Sequence, residues 1–237
     1  MTASRCTLEP RSSNLKILAL DTSTEACSAA IWTDGAVVER FESGNQHSER
    51  ILAMVDDLLA ETGFALTRFD AIAFGRGPGS FTGLRIGAGV AQGLAFGAGI
   101  PVTPISSLAA LAQGVDAPRV LAAFDARMHQ VYSGAYVRNA QGIVELAGNE
   151  GVAAPLDVPL PGGNDWVGAG NGWDQYHAAL LERLGGRVIN WHKQVYPRAR
   201  DVGRLGAVAV QAGKALSAEQ ALPVYVRDDV AVKQTKS

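Results

Sequence analysis

Apolar and polar positions follow two different periods in the first third of this chain. Residues 15–21 (LKILALD) are a short apolar run closed by an acid, which predicts a buried strand. Residues 26–32 (ACSAAIW) predict a second strand and 36–43 (AVVERFES) a third, joined by Thr33-Asp34-Gly35 with Asp-Gly as the hairpin signal. The period then lengthens. Over 46–62 (QHSERILAMVDDLLAET), Ile51, Met54, Val55, Leu58 and Leu59 share one helical face, and Gly63 follows as the stop. AIAF at 71–74 predicts another buried strand, which runs directly into GRGPGSFTGLRIGAGVAQGLAFGAG at 75–99.

After residue 100 the pattern restarts. VLAAFDARMHQVYSGAY (120–136) parallels ILALDTSTEACSAAIW (17–32), each with an apolar strand, an aspartate, a polar link and a second strand. Asp21 and Asp125 take the same place in the two copies, and the second link is one residue longer. Two unrelated hairpins would also fit, but an internal duplication is preferred: two lobes built on related meanders, with the two aspartates facing a cleft. WVGAG (166–170) and RVIN (187–190) predict strands, and a helix is expected near 174–184. Residues 201–216 have helical periodicity with Val202, Leu205, Val208 and Ala209 on one side, and LPVYVRDDVA closes the chain as an extended tail. The expected domains are a tail at 1–14, an N-terminal lobe at 15–110, a smaller C-terminal lobe at 111–231 and a tail at 232–237.

The glycine-rich segment has two competing readings, a loop that cradles phosphate or a helix stripped of side chains for close packing. A phosphate-binding P-loop needs lysine and a hydroxyl residue after its last glycine, whereas Gly83 is followed by Leu84-Arg85. No dinucleotide-binding glycine turn fits either. Residues 75–83 therefore read as a strand-to-helix connection with Thr82 as the N-cap, where an anion could still meet unpaired N–H groups. Beyond it, Gly89, Gly93 and Gly97 recur every fourth residue, with Gly83 and Gly87 as a second pair. Positions four apart stack on one helix face, so the glycines make a groove of bare backbone. Each glycine costs roughly 1 kcal/mol of helix propensity relative to alanine. Something must pack there closely, either inside the lobe or from a second subunit, and the apolar spread of Leu84, Ile86, Val90, Leu94 and Phe96 favours a helix held between its own core and a partner.

Composition narrows the function classes. The 237 residues carry 21 Lys+Arg against 23 Asp+Glu, so the net charge is −2 and no basic excess marks a nucleic-acid binder. Cys6 and Cys27 make neither a disulfide framework nor a metal motif. No apolar run approaches membrane-spanning length and the N-terminus has no secretory core, so a soluble cytoplasmic protein is expected. His47, His129, His177 and His192 have no metal-ligand spacing: four residues past His47 stands Ile51, and a lone histidine at a helix start reads as a solvated or capping residue. No nucleophile elbow or triad is legible.

Asp21-Thr22-Ser23-Thr24 resembles the first phosphate loop of the sugar kinase, actin and heat-shock ATPase superfamily, with Ser23 where a glycine is expected. Weak nucleotide contact and a tight turn satisfied by its own hydroxyls are both open there. More specifically, ILALDTST, QHSERIL, GRGPGSFTGLRIG, IPVTPISSLAAL and PVYVR together resemble the TsaB family from Leu15 to about Ala231. The resemblance implies an α/β, two-lobed kinase–actin–heat-shock fold with duplicated meanders. It implies a non-catalytic partner of the paralogue TsaD, which transfers the threonylcarbamoyl group to the adenosine next to the anticodon in tRNAs reading A-starting codons. It also implies a small ATPase partner, TsaE, a homodimer when TsaD is absent, contact with tRNA only through the complex, and no cofactor or metal of its own. The two first-lobe helices would supply the contact surface. Candidate interface residues are Gly87, Gly89, Gly93 and Gly97 for close approach, Leu84, Ile86 and Val90 as apolar contacts, and Glu49 and Arg85 as rim charges. A stand-alone ATP-dependent phospho- or acyltransferase is the rival reading. A peptidase finds no nucleophile or metal cage in this sequence.

Overall fold

A computed structural model describes residues 15–34, 36–44 and 47–226. The two predicted tails, Cys6, Gly35 of the Asp-Gly turn, Gln46 at the expected helix start and the end of the LPVYVRDDVA segment lie outside the described residues.

The three predicted strands form an antiparallel meander of β1 (Lys16–Asp21), β2 (Ala26–Thr33) and β3 (Ala36–Ser43). The chain continues through α1 (His47–Thr62), β4 (Ala71–Gly77), α2 (Phe81–Ala98) and β5 (Val102–Ser106). Parallel pairing of β4 on β1 and of β5 on β4 gives the order β3-β2-β1-β4-β5. Side-chain alternation along β1 then builds two layers. Leu18 and Leu20 join Ile51, Met54, Val55 and Leu58 of α1 and the alanines of α2, whereas Ile17 and Ala19 face the opposite side.

After α3 (Ser107–Gln113) come β6 (Arg119–Asp125), β7 (Val131–Arg138), β8 (Val144–Leu146) and β9 (Gly151–Ala153). The chain then forms β10 (Trp166–Ala169), α4 (Asn171–Leu184), β11 (Val188–His192) and α5 (Ala199–Gln211). The second sheet runs β11-β10-β6-β7-β8, with β9 also on β7, which repeats the connectivity of the first. The repeat is incomplete. Between β9 and β10, where α1 would fall, there is only a single turn at Pro155–Asp157.

The lobes exchange helices. α3 packs on β6, and α5 packs on β1, β2 and β4 of the other sheet, so the 110/111 boundary drawn from sequence falls inside α3. Close approach of α5 rests on two glycines. A Cβ on Gly206 would stand 2.5 Å from the Ala73 Cβ, and one on Gly203 3.0 Å from the Trp32 Cβ. That glycine track faces the sheet beside Val202 and Leu205, whereas Val208, expected on the same side as these two, turns to solvent. Arg198 at the start of α5 pairs with Glu39 of β3 at 2.7 Å, and between lobes Ser106 donates to Glu150. Two α/β lobes built on duplicated meanders are present, as expected; the exchange of helices was not foreseen.

Candidate functional site

The segment expected as a candidate phosphate loop begins at the end of β1. Here Asp21, Thr22, Ser23 and Thr24 are all buried. The Asp21 Oδ1 accepts from the Ser23 N–H at 3.0 Å and from the Ser23 hydroxyl at 2.8 Å, while Oδ2 has no hydrogen-bond partner among the described residues. Desolvation pushes the Asp21 carboxyl up to about 6, against the lowering effect of the two Ser23 hydrogen bonds. The cover is the glycine-rich segment itself. The Ser80 N–H donates to the Ser23 carbonyl at 2.7 Å, and the Thr22 hydroxyl donates to the Gly83 carbonyl at 2.8 Å. A Cβ would stand 2.1 Å from the Asp21 Oδ2 at Gly75, 2.2 Å from the Ser23 carbonyl oxygen at Gly79 and 2.0 Å from the Thr22 carbonyl oxygen at Gly83. These glycines let the two loops lie in contact. The Ser23 N–H is spent on the chain's own carboxylate.

Asp125 borders the space between the lobes, as expected, whereas Asp21 is buried and does not. Leu121 and Ala123 point to α4, and Asp125 follows them by alternation. It accepts from the Tyr176 hydroxyl on α4 at 3.3 Å and from the Arg127 N–H at 2.9 Å, with the Arg127 guanidinium 3.4 Å away. Matched by their buried faces, Leu18 and Leu20 correspond to Leu121 and Ala123, so Asp125 corresponds to Thr22 and Asp21 to Phe124. One residue of offset reverses the face a strand residue occupies, and the longer second link hides that offset in the sequence. Beside Asp125, a cavity of about 450 Å³ opens between the lobes, bordered by Glu25, Asn171, Lys193 and the His177–Trp191 stack.

On α2 the predicted residues divide. The N-cap is Ser80, not Thr82: its hydroxyl accepts from the Gly83 N–H at 3.4 Å, and the helix starts one residue before Thr82. Gly83 and Gly87 turn inward onto Thr22, and Leu84 is buried, so Gly87 and Leu84 do not face outward as the spacing suggested. Ile86 and Val90 are half-buried against the α1–α2 core. Gly89, Gly93 and Gly97 lie on the exposed side, where a Cβ at each would meet nothing within 4 Å. Phe96, 71% exposed, shares that side, and Leu52 is exposed on the neighbouring α1. The Arg85 guanidinium sits 3.2 Å over the Phe81 ring and 5.1 Å from that of Tyr225; Glu49 is exposed on α1. Phe96 was part of the apolar spread expected on this helix but not of the expected interface set, although it stands seven residues past Gly89 and three past Gly93 on the same helical face.

Other candidate chemistry is absent from this region. His47 is buried rather than solvated, with Nδ1 lacking a hydrogen-bond partner among the described residues, and Ile51 beyond it is core. Burial pushes the Cys27 thiol up to about 12, which removes it as a nucleophile. Among the described residues, no three His, Cys, Asp or Glu side chains gather as metal ligands, and no helix is long and apolar enough to cross a membrane.

With this geometry in place, known proteins provide the context. The family model described as "TsaD: tRNA N6-adenosine threonylcarbamoyltransferase" matches residues 41–234. The "tRNA threonylcarbamoyladenosine biosynthesis protein TsaB" of Escherichia coli is 44% identical over 230 residues, covering 93% of this chain and 98% of that protein. The protein of the same description from Haemophilus influenzae is 40% identical over 93% of this chain and 97% of its own length. A solved structure described as YeaZ from Pseudomonas aeruginosa superposes with a TM-score of 0.82 at 47% identity, covering 89% of this chain and 99% of that one.

Proposed function

The chain belongs to the TsaB family of tRNA threonylcarbamoyladenosine biosynthesis proteins, and from that premise we propose that it acts as a non-catalytic subunit. It supports threonylcarbamoyl transfer to the adenosine next to the anticodon of tRNAs reading A-starting codons by binding the catalytic paralogue TsaD. TsaE joins the same assembly, tRNA is reached only through the complex, and a second copy of the chain occupies the contact surface when TsaD is absent.

The observation that carries this reading is the outer side of α2. Gly89, Gly93 and Gly97 leave open space beside an exposed Phe96, on the layer that also presents Leu52 and Glu49 of α1. A facing helix can approach bare backbone closely there and gain dispersion contacts along its length. The covered Asp21–Thr24 loop supports the same reading from the other direction, since the chain fills its own phosphate position. Gly93→Leu is the test. It should lower TsaD affinity at least tenfold, worth about 1.4 kcal/mol, in a titration of the two purified proteins, while the isolated chain keeps or gains thermal stability. Unchanged affinity would remove the groove from the interface. Substantial ATP turnover by the chain alone would favour a free-standing transferase instead.

A further inference from the structure

The second lobe contains an apolar pocket that follows from the incomplete repeat. In the first lobe, Cys27, Ala29 and Ile31 of β2 are covered by α1. The corresponding face of β7 carries Ser133, Ala135 and Val137, and no helix covers it. Instead a cavity of about 590 Å³ lies between these residues and α4, with Trp166 and Trp173 in its wall. That volume falls within the range of sites for small organic ligands.

A helix of α1's size cannot enter, because the 158–164 segment crosses the opening and is tied down at three points. The Arg183 Nε–H donates to the Val158 carbonyl at 3.0 Å, the Trp166 indole N–H to the Gly162 carbonyl at 3.2 Å, and an Arg119 N–H to the Asn164 carbonyl at 2.7 Å. The walls are rigid as well: Trp173 donates its indole N–H to the Leu121 carbonyl at 2.8 Å. Arg119 is the one charged residue in the lining, which contains no carboxylate, and no ion pair to Arg119 occurs among the described residues. An apolar slot with a single cation at its edge selects one charge type and one shape.

We propose that this pocket binds a small amphipathic monoanion, with its apolar chain or ring system between β7 and α4 and its carboxylate or sulfonate against Arg119. The site is separate from the α1–α2 surface and does not depend on the role assigned to it.

The test uses the full chain, 8-anilinonaphthalene-1-sulfonate as a fluorescent reporter, and decanoate and 1-decanol as competitors. Saturable binding of the reporter is expected, with decanoate displacing it at least tenfold more effectively than decanol. Arg119→Met should erase that preference, so that decanoate and decanol compete equally, while loss of its tie to Asn164 acts on both alike. Ala135→Phe fills the slot and should abolish binding of all three. Leu160→Glu places a negative charge at the mouth on a side chain already 45% exposed, so the fold tolerates it, and should weaken decanoate at least tenfold. Gly93→Leu should bind all three like the parent protein. The proposal falls if no saturable binding occurs up to about 1 mM, if Leu160→Glu binds decanoate as well as the parent, or if decanol competes equally with decanoate.

Discussion

On one side of α2 a Cβ at Gly83 would stand 2.0 Å from the Thr22 carbonyl oxygen; on the other, a Cβ at Gly93 would meet nothing within 4 Å. Both positions give up roughly 1 kcal/mol of helix propensity relative to alanine. Only on the inner side does the fold account for the loss, because there the helix start lies directly on the Asp21–Thr24 loop. Outside, nothing among the described residues uses the bare backbone. The same residue type at the same spacing therefore stands in two settings, one in close contact with the Asp21–Thr24 loop and one in open space, where the proposed partner would dock.

The largest test of the inner side is Asp21. Its carboxyl is raised from 3.8 to about 6 by burial, so the folded chain keeps a proton that the unfolded chain has released. Stability from this group is fully present below about pH 4 and is lost as pH rises through about 6, a difference of about 3 kcal/mol by linkage. Asp21→Asn should accordingly raise stability at pH 7 by up to that amount and flatten the pH dependence between 4 and 6, read by urea denaturation across pH. Asp201, also raised to about 6 chiefly by burial, keeps its own contribution in the variant. If Asp21→Asn lowered stability at pH 7, the ionised carboxylate would be holding something the covered loop does not show. Next comes Gly83→Ala. The clash is with backbone, which cannot rotate away, and should destabilise the chain by about 2 kcal/mol after the gain in propensity.

Much of the fold was legible before any of this geometry. The three strands of the first meander, the buried face of α1 and the second meander all follow from apolar runs and their periods. What the sequence concealed were relationships between distant residues. The contact of Thr22 with Gly83 joins positions 61 apart, so nothing local distinguishes the inward glycines from the outward ones. The parity of Asp125 depended on aligning strand faces rather than acids, and the extra link residue made the acids coincide. The missing counterpart of α1 was visible only as a proline- and glycine-rich stretch at 159–163, which carries no sign of the pocket beneath it.

On the outer side the expected effect is smaller and of opposite sign. Gly93→Ala adds a methyl group into open space and should stabilise the isolated chain by about 1 kcal/mol through helix propensity alone. Differential scanning calorimetry of the two alanine variants side by side then sets the contrast: Gly83→Ala melts lower than the parent and Gly93→Ala higher. Equal effects would mean that α2 is free to shift and that the two sides are not distinct.

The smallest effect separates the cap from the glycine contact as the device that fixes the helix start. Ser80 accepts from the Gly83 N–H at 3.4 Å, a long bond, whereas its own N–H donates to the Ser23 carbonyl at 2.7 Å. Ser80→Ala removes only the first of these, because the second is a backbone bond. The loss should fall near the lower end of the range for N-cap replacement, about 0.5 kcal/mol. Gly79→Ala, one residue earlier, would set a Cβ 2.2 Å from the Ser23 carbonyl oxygen and should cost about 2 kcal/mol. That ordering is what an interlocked pair of backbones requires: side-chain capping is dispensable and empty space at the glycines is not. If Ser80→Ala cost more than Gly79→Ala, the helix start would be held by its cap, and the inner glycines would need another explanation.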